Sequence, residues 1–196
     1  MARSAEITRK TKETEITLSL TLDGSGQYVV STGIGFLDHM LEQLARHGRF
    51  DLTVKAVGDI ERDTHHLAED VGIVLGQAFN QALGERRGIT RFGHAIVPLD
   101  ETLALVALDL SGRAHAVIDM KFDRDQVGEL PTENLWHLLE SFAREARMTL
   151  HTRLLSGEND HHRAEAVFKA LARALRTAVS FDESAAGEIP STKDVL

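Results

Sequence analysis

Asp63-Thr64-His65-His66-Leu67-Ala68-Glu69-Asp70 is a stretch whose core returns later in the chain as Asp160-His161-His162-Arg163-Ala164-Glu165. If the stretch is helical, His65 and Glu69 are four residues apart and share one face. The adjacent His66 then points about 100° away around the helix axis. One helical turn can therefore present side chains to two different metal ions.

The repetition reaches well beyond these motifs. Residues 65–83 align with residues 161–179 with eight identities in nineteen, and residues 39–49 align without a gap with residues 137–147 with six in eleven. A repeat of this length indicates two copies of one ancestral unit. We therefore predict a first repeat at 1–87, a second repeat at 88–183 and a C-terminal tail at 184–196, all forming one functional domain.

Composition excludes several classes of function. The chain of 196 residues has a formal net charge of -8, which argues against nucleic acid or an anionic membrane as a partner. It contains no cysteine, so disulfides and thiolate metal sites are excluded, and a reducing cytoplasm is compatible. No apolar run is long enough to span a bilayer, and the first residues lack an apolar signal core.

Hydrophobic periodicity predicts the same order of elements twice. In the first half we expect a β-hairpin over residues 13–34 that turns at Asp23-Gly-Ser-Gly26, a helix over 36–47, a strand over 50–57 and a helix from Asp63 or Thr64 to Leu83. In the second half we expect strands at 89–97, 102–109 and 114–122, a helix at 133–147, a strand at 149–155 and a helix from Asn159-Asp160 to about residue 180. The pattern indicates an α+β fold with each sheet covered on one face by a helix pair.

Each repeat carries one histidine at the head of its first helix and one His-His-x-x-Glu motif at the head of its second. These eight residues are His39, His65, His66, Glu69, His137, His161, His162 and Glu165. Imidazole and carboxylate ligands without thiolate suit Mn, Fe, Co, Zn or Ni. A pseudo-twofold axis would divide them into two sets of three histidines and one glutamate, each taking the His/Glu pair of one repeat and the second His of the other. Which set receives His39 and which His137 stays open.

The alternative is that histidine pairs at helix starts only cap helices or face solvent. A repeat kept for packing alone would retain its apolar positions and let exposed histidines vary, so the doubled motif favours metal binding. His94, His115 and His151 lie in strand-like segments without partners, and a structural role is favoured for them. His47 and Gln43 share a helix face with His39 and are candidates for ligand contact.

Five motifs together resemble the imidazoleglycerol-phosphate dehydratases of histidine biosynthesis. They are Gly33-Ile-Gly-Phe-Leu-Asp-His-Met-Leu41, the two His-His-x-x-Glu motifs, Arg9-x-Thr-x-Glu-Thr14 and Pro190-Ser-Thr-Lys193. The resemblance runs from about Ala5 to the C-terminus. It implies a cytoplasmic hydro-lyase with two Mn²⁺ per active site. The implied fold is a duplicated unit in which two four-stranded sheets sandwich a bundle of helices, called ribosomal protein S5 domain 2-like. The implied assembly is an octahedral cage of 24 subunits built from trimers, with metals at subunit interfaces.

The family pattern also implies roles for single residues. It places His39, His66, His161 and Glu165 on one manganese, and His65, Glu69, His137 and His162 on the other. Substrate contacts are implied at Glu13, Gln43, His47, Arg91, Arg113, Lys169, Ser191, Thr192 and Lys193, and at the metal ligands His39, His65, His66, Glu69, His161 and His162. The four basic side chains are what a phosphate monoester needs in an acidic protein. His94 and His115 stand where the pattern leads us to expect other residue types.

The implied reaction removes water from imidazole-glycerol phosphate and gives imidazole-acetol phosphate. Two Mn²⁺ ions on the substrate ring would favour the imidazolate, which can expel the hydroxyl group to give a diazafulvene-like intermediate. Glu13 is the candidate acid/base that then removes the neighbouring proton. Two other functions remain open on the residues alone. A di-metal hydrolase would use similar ligands, although such sites are commonly rich in Asp. A metal-triggered assembly or storage protein would have no need of the phosphate-binding tail and Arg91.

Overall fold

The computed structural model describes residues 3–196; Met1 and Ala2, the first residues of the predicted first repeat, lie outside the described residues. The chain forms two four-stranded sheets and four long helices, as the α+β prediction required. The strands are β1 (Ser4–Lys10), β2 (Thr14–Thr21), β3 (Tyr28–Ser31), β4 (Asp51–Gly58), β5 (Phe92–Leu99), β6 (Thr102–Asp109), β7 (His115–Asp119), β8 (Gln126–Val127), β9 (Leu130–Pro131) and β10 (Thr149–Ser156). The helices are α1 (Gly35–Gly48), α2 (His65–Leu83), α3 (Thr132–Glu145) and α4 (Asp160–Val179), followed by a short 3₁₀ turn at Glu183–Ala185.

The two sheets have the same strand order. The first sheet runs β1-β2-β4-β3 and the second runs β5-β6-β10-β7. In each sheet the last pair is parallel and the other two pairs are antiparallel. The parallel pair is joined through a helix, α1 in the first half and α3 in the second, as a parallel connection requires. Equal topology in both halves is what a duplicated unit produces.

The predicted hairpin over residues 13–34 is wrong in its pairing. Strands β2 and β3 are present, but β4 lies between them, antiparallel to β2 and parallel to β3. The turn at Asp23–Gly26 crosses the start of β4, where the Asp51 carboxylate accepts hydrogen bonds from the backbone N–H groups of Ser25, Gly26 and Gln27 at 2.9–3.0 Å. The turn therefore carries the chain from β2 across β4 to β3, on the other side of β4. The turn residues alone did not show this, so the hairpin prediction paired β2 with the wrong strand.

Several elements differ from the sequence prediction at their ends. The first strand, β1, was not predicted, because its short alternation of apolar and charged residues lies so close to the N-terminus. Strand β5 begins at Phe92, and Ile89 forms only an isolated bridge with Phe181. The small β8–β9 ribbon was also missed. All four predicted helices are present, and each bound is within two residues of its predicted position.

The helices pair across the two halves. Helix α2 packs on α3, and α1 packs on α4, while α2 also covers the first sheet and α4 the second. Two glycines let α2 approach α3 closely: a Cβ atom at Gly72 would lie 2.5 Å from the Leu138 carbonyl oxygen, and one at Gly76 would lie 2.7 Å from that of Phe142. The core between the layers is filled by fully buried side chains, including Phe79 and Phe142 in edge contact. Within residues 3–196, no helix is both long and apolar enough to cross a membrane.

Candidate metal centres and anion pocket

The histidine pairs stand at the first turns of α2 and α4, and hydrogen bonds from the preceding loops hold them there. The Asp63 carboxylate accepts the His65 N–H at 3.0 Å. The Asn159 side chain caps α4 by accepting the N–H groups of His161 and His162. Because adjacent side chains of a helix are about 100° apart around its axis, the two rings of each pair point in different directions, and their planes are nearly perpendicular at 82° and 88°.

A first cluster joins α1 and α4. His39 Nε2 lies 3.3 Å from Glu165 Oε2, and His161 Nε2 lies 3.1 Å from the same oxygen. The ligand atoms of all three residues lie within 4.8 Å of one another, and the side chains are partly buried. Two imidazoles and a carboxylate converging in this way form three donors of a metal site.

The Glu165 carboxylate is kept ionised by its neighbours. Burial raises its pKa, but the Lys169 ammonium, 2.7 Å from Oε1, and His39 together lower the pKa to about 2. The residue therefore carries its negative charge at neutral pH, as a metal ligand must. Lys169 was predicted to contact the substrate phosphate, and in the structure its ammonium group lies beside this cluster.

A second cluster, more open than the first, joins α2 and α3. The rings of His65 and His137 lie 4.7 Å apart between centroids, and His65 Nε2 lies 4.0 Å from Glu69 Oε2. Asn134 on α3 accepts a hydrogen bond from His65 Nδ1 at 3.2 Å and donates one to the Thr64 hydroxyl. That contact orients the ring with Nε2 toward Glu69. The repeat thus builds two related triads, each with a helix from both halves, and among the described residues only the first brings three ligand atoms within 4.8 Å of one another.

The remaining two histidines join neither triad within the chain. His66 Nδ1 lies 3.2 Å from an Asp59 oxygen, and His162 Nδ1 lies 2.9 Å from a Glu101 oxygen. The hydrogen bond to each carboxylate raises the pKa of the ring that it holds. Carboxylates commonly hold metal-binding histidines in this way, because a bond at Nδ1 leaves Nε2 free to coordinate.

Glu13, Gln43 and His47 all lie near the candidate ligands. Glu13 is in the turn between β1 and β2, with a half-exposed side chain 4.0 Å from His66 Nδ1. On α1, His47 Nε2 lies 3.2 Å from Gln43 Oε1, and Gln43 Nε2 lies 3.4 Å from His39 Nδ1. Burial, with the Lys169 charge, lowers the pKa of His47. A polar row therefore runs along α1 from the first triad.

Apart from Lys169, the predicted phosphate residues lie elsewhere, in a cavity of about 640 Å³ between the second sheet and the C-terminal tail. Its wall includes Arg91, Arg113, Ser191, Thr192 and Lys193. Arg91 donates to the Pro190 carbonyl oxygen at 2.6 Å and pairs with Asp109 at 2.7 Å, which holds the tail in place. Guanidinium, ammonium and hydroxyl groups in one wall are suited to a phosphate. None of the eight candidate metal ligands lines this cavity in the same chain.

Sequence reasoning missed the side chains that orient the ligands. Asp59, Glu101 and Asn134 each hold one histidine of the candidate set. Arg9, a motif residue without a predicted role, pairs with the buried Asp70 at 2.9 Å, and Thr14 also donates to Asp70. The dipeptide Glu13-Thr14 recurs as Glu101-Thr102, so extending the repeat to the strands would have indicated Glu101.

Comparison with known proteins shows similarity to one enzyme family. The profile of the family described as imidazoleglycerol-phosphate dehydratase matches residues 32–175. An imidazoleglycerol-phosphate dehydratase of Roseiflexus sp. is 58% identical over 194 residues, which is 99% of this chain and 98% of that protein. One of Dehalococcoides mccartyi is 57% identical, covering 99% of this chain and 97% of that protein.

Solved structures of the same enzyme share the fold. The enzyme of Pyrococcus furiosus matches with a TM-score of 0.84 and 38% identity, over 97% of this chain and 100% of that chain. The enzyme of Staphylococcus aureus matches with a TM-score of 0.83 and 34% identity, over 91% and 99%. Since the agreement extends over nearly the whole length at high identity, the chain belongs to the imidazoleglycerol-phosphate dehydratase family, the hydro-lyases of histidine biosynthesis.

Proposed function

We propose that the chain converts imidazole-glycerol phosphate to imidazole-acetol phosphate and water in the cytoplasm, using two Mn²⁺ ions per active site. Two His/His/Glu triads on helices from both halves carry this proposal, and the ligand atoms of the first, His39, His161 and Glu165, already lie within 4.8 Å of one another. A substrate imidazole has two ring nitrogens on opposite sides. Two similar metal sites are suited to such a ring.

The donor sets fit divalent manganese. His39, His161 and Glu165 would hold one ion with His66, while His65, Glu69 and His137 would hold the other with His162. All donors are nitrogen or oxygen, and Glu165 is ionised. When bound, the two ions supply Lewis-acid stabilisation of the imidazolate form of the substrate ring.

We propose that a neighbouring copy of the chain supplies the fourth ligand of each set. His66 and His162 face Asp59 and Glu101 in their own chain, outside the two triads. A homo-oligomer would bring these rings to the triads of another copy. An octahedral cage of 24 subunits built from trimers is the assembly that we propose, and the same contacts would bring the phosphate cavity beside the metals.

Substrate binding and proton transfer are assigned to the remaining residues. Arg91, Arg113, Ser191, Thr192 and Lys193 would bind the phosphate group through charge-assisted hydrogen bonds. Loss of the hydroxyl from the glycerol chain would leave a diazafulvene-like intermediate, whose neighbouring C–H is acidified. Glu13 would remove that proton in a second step, and the released hydroxyl and this proton together account for the water that is lost. The enol that remains tautomerises to the ketone product.

The test uses protein stripped of metal with a chelator and then given Mn²⁺ and imidazole-glycerol phosphate. Product formation is followed by the absorbance of the enolate of imidazole-acetol phosphate in alkali. We expect turnover only after metal is restored. No product with Mn²⁺, Fe²⁺, Co²⁺ or Zn²⁺, from protein that binds metal and assembles, would contradict the proposal and favour a purely structural metal site.

A further inference from the structure

The duplication places two glutamates in equivalent positions. Strand β2 follows Glu13 and strand β6 follows Glu101, and the two strands pair with β4 and β10 in the same register at their far ends, Thr21 with Asp51 and Asp109 with Thr149. Both glutamates lie beside the second histidine of a pair. Glu101 Oε2 is 2.9 Å from His162 Nδ1, whereas Glu13 Oε2 is 4.0 Å from His66 Nδ1.

Glu101 is fully engaged in hydrogen bonds. Besides His162, its carboxylate accepts the backbone N–H groups of Glu158 at 3.1 Å and Asn159 at 2.9 Å, and the Thr102 hydroxyl at 3.0 Å. It therefore orients His162 and holds the loop that leads into α4. A carboxylate with four such partners is not available to move a proton.

In the first half, the side chain that hydrogen-bonds the second histidine, His66, is Asp59. Its carboxylate, only 14% exposed, lies 3.2 Å from His66 Nδ1, and its backbone N–H donates to the Glu13 carbonyl oxygen at 3.1 Å. Gly157, which follows β10 as Asp59 follows β4, has no side chain with which to do the same. Within residues 3–196, the Glu13 carboxylate accepts no hydrogen bond, and 52% of its side chain is exposed.

We propose that Asp59 is a positioning residue that keeps Glu13 free for proton transfer. By binding His66 Nδ1, Asp59 takes over the task that the equivalent glutamate performs in the second half. The two equivalent glutamates thereby have different roles: Glu101 orients the metal ligand His162, and Glu13 is left to contact the substrate. The proton-transfer part of this inference rests on the proposed function, whereas the contact geometry does not.

The structural test is a crystal structure of metal-free Asp59→Ala protein. With Asp59 removed, Glu13 is the nearest carboxylate to His66, so we expect it to close to hydrogen-bond distance, about 3 Å from Nδ1. A Glu13 side chain that stays in its present position, or a His66 ring with no carboxylate partner, would overturn the inference. This readout does not depend on turnover, so it remains decisive even if the proposed reaction is not observed.

The kinetic test is a double-mutant cycle at saturating Mn²⁺. Glu13→Gln alone should keep substrate binding and lower kcat by about 100- to 10,000-fold, the range of general acid–base catalysis. Asp59→Ala should lower kcat at least about tenfold, and adding Glu13→Gln to it should cost much less than in the wild type. Independent, multiplicative effects would overturn the inference.

Two further variants separate positioning from metal affinity. Asp59→Asn keeps an oxygen that can accept from His66 Nδ1, so it should retain more kcat than Asp59→Ala. Glu101→Gln should weaken Mn²⁺ binding about 10- to 100-fold, as loss of a ligand-orienting carboxylate does. If the kcat of Asp59→Ala reaches the wild-type value once Mn²⁺ is saturating, Asp59 only orients a ligand, and the inference fails.

Discussion

At the scale of the residue, carboxylates that accept hydrogen bonds from several backbone N–H groups fix loops in both halves of the chain. Asp51 holds the turn before β3, Glu101 holds the loop before α4, and Asp160 accepts the N–H groups of Asp123 and Arg124. Asp160 is almost fully buried, with Arg163 at 2.7 Å as its counter-charge. Each bond is to an ionised acceptor, so each is stronger than a bond between neutral groups.

Asp51 gives a prediction about pH. Hydrogen bonds from the backbone N–H groups of Gln27, Ser25 and Gly26 lower the pKa of its carboxyl below the ordinary value. A depressed pKa contributes stability that is present above the unfolded value, about 3.9, and is lost as pH falls through the folded value. We expect Asp51→Asn to lower the free energy of unfolding by about 1 kcal/mol at pH 7.

The measurement is urea unfolding of the metal-free protein at pH 7 and at pH 3. The difference between wild type and Asp51→Asn should shrink at the lower pH. Glu6→Gln, which alters an exposed carboxylate on β1, serves as the control and should follow the wild-type curve at both pH values. An Asp51→Asn deficit that is equally large at both pH values would contradict the linkage.

At the scale of the element, what could be predicted from sequence depended on whether the deciding contact is local. Helix bounds were predicted well because apolar spacing and end signals lie within each helix. The pairing of β2 with β4 was not predicted, because Asp51, whose carboxylate holds the turn after β2, lies far along the chain from that turn. The same limit applied at the site. Helical spacing predicted that His65 and Glu69, and likewise His161 and Glu165, share a face. It did not predict the hydrogen bonds of Asp59 and Glu101 to the other two histidines.

The close crossing of α2 and α3 predicts a large effect of a small change. Gly72→Ala would place a methyl group 2.5 Å from the Leu138 carbonyl oxygen, so the helices must separate. We expect a loss of about 1–3 kcal/mol of unfolding free energy. Looser metal binding at the His65, Glu69 and His137 triad should follow, measured by thermal unfolding and Mn²⁺ titration.

Gly35→Ala is the matched control for the same substitution in another helix. A Cβ atom there would meet only the flexible Glu129 carboxylate, at 3.4 Å. Its unfolding free energy should stay within about 1 kcal/mol of the wild type. If Gly72→Ala and Gly35→Ala were equally stable, close packing of α2 on α3 would not be needed for stability.

At the scale of the whole molecule, the two sheets differ on their outer faces. At matching positions, strands β1 and β2 present Thr8 and Thr17, whereas strands β5 and β6 present Ile96 and Leu105. The first sheet also exposes two apolar side chains, Val29 at 68% and Val57 at 63%. Ile96 is 57% exposed and Phe92 is 58% exposed. The apolar side chains on β5 and β6 have no apolar counterpart on β1 and β2, so this part of the second sheet is the face that we propose for contact between copies.

This difference gives a test of the proposed assembly. Ile96→Lys would bring an unpaired charge into the contact between copies and should weaken association at least about tenfold. Thr8→Lys changes the equivalent position of the first sheet and should leave the molar mass in solution unchanged. Light scattering after size-exclusion chromatography measures both, and an Ile96→Lys assembly of wild-type mass and stability would remove this face from the interface.

The pairing of helices across the halves has a consequence for the history of the chain. Each triad draws one histidine from one half and a His/Glu pair from the other: His39 joins His161 and Glu165, and His137 joins His65 and Glu69. If the two halves descend from one ancestral unit, we infer that a single unit built no triad by itself and that two units had to meet in a symmetric dimer with two identical sites. Fusion of the two units would have made that dimer permanent and left each glutamate free to diverge from its counterpart.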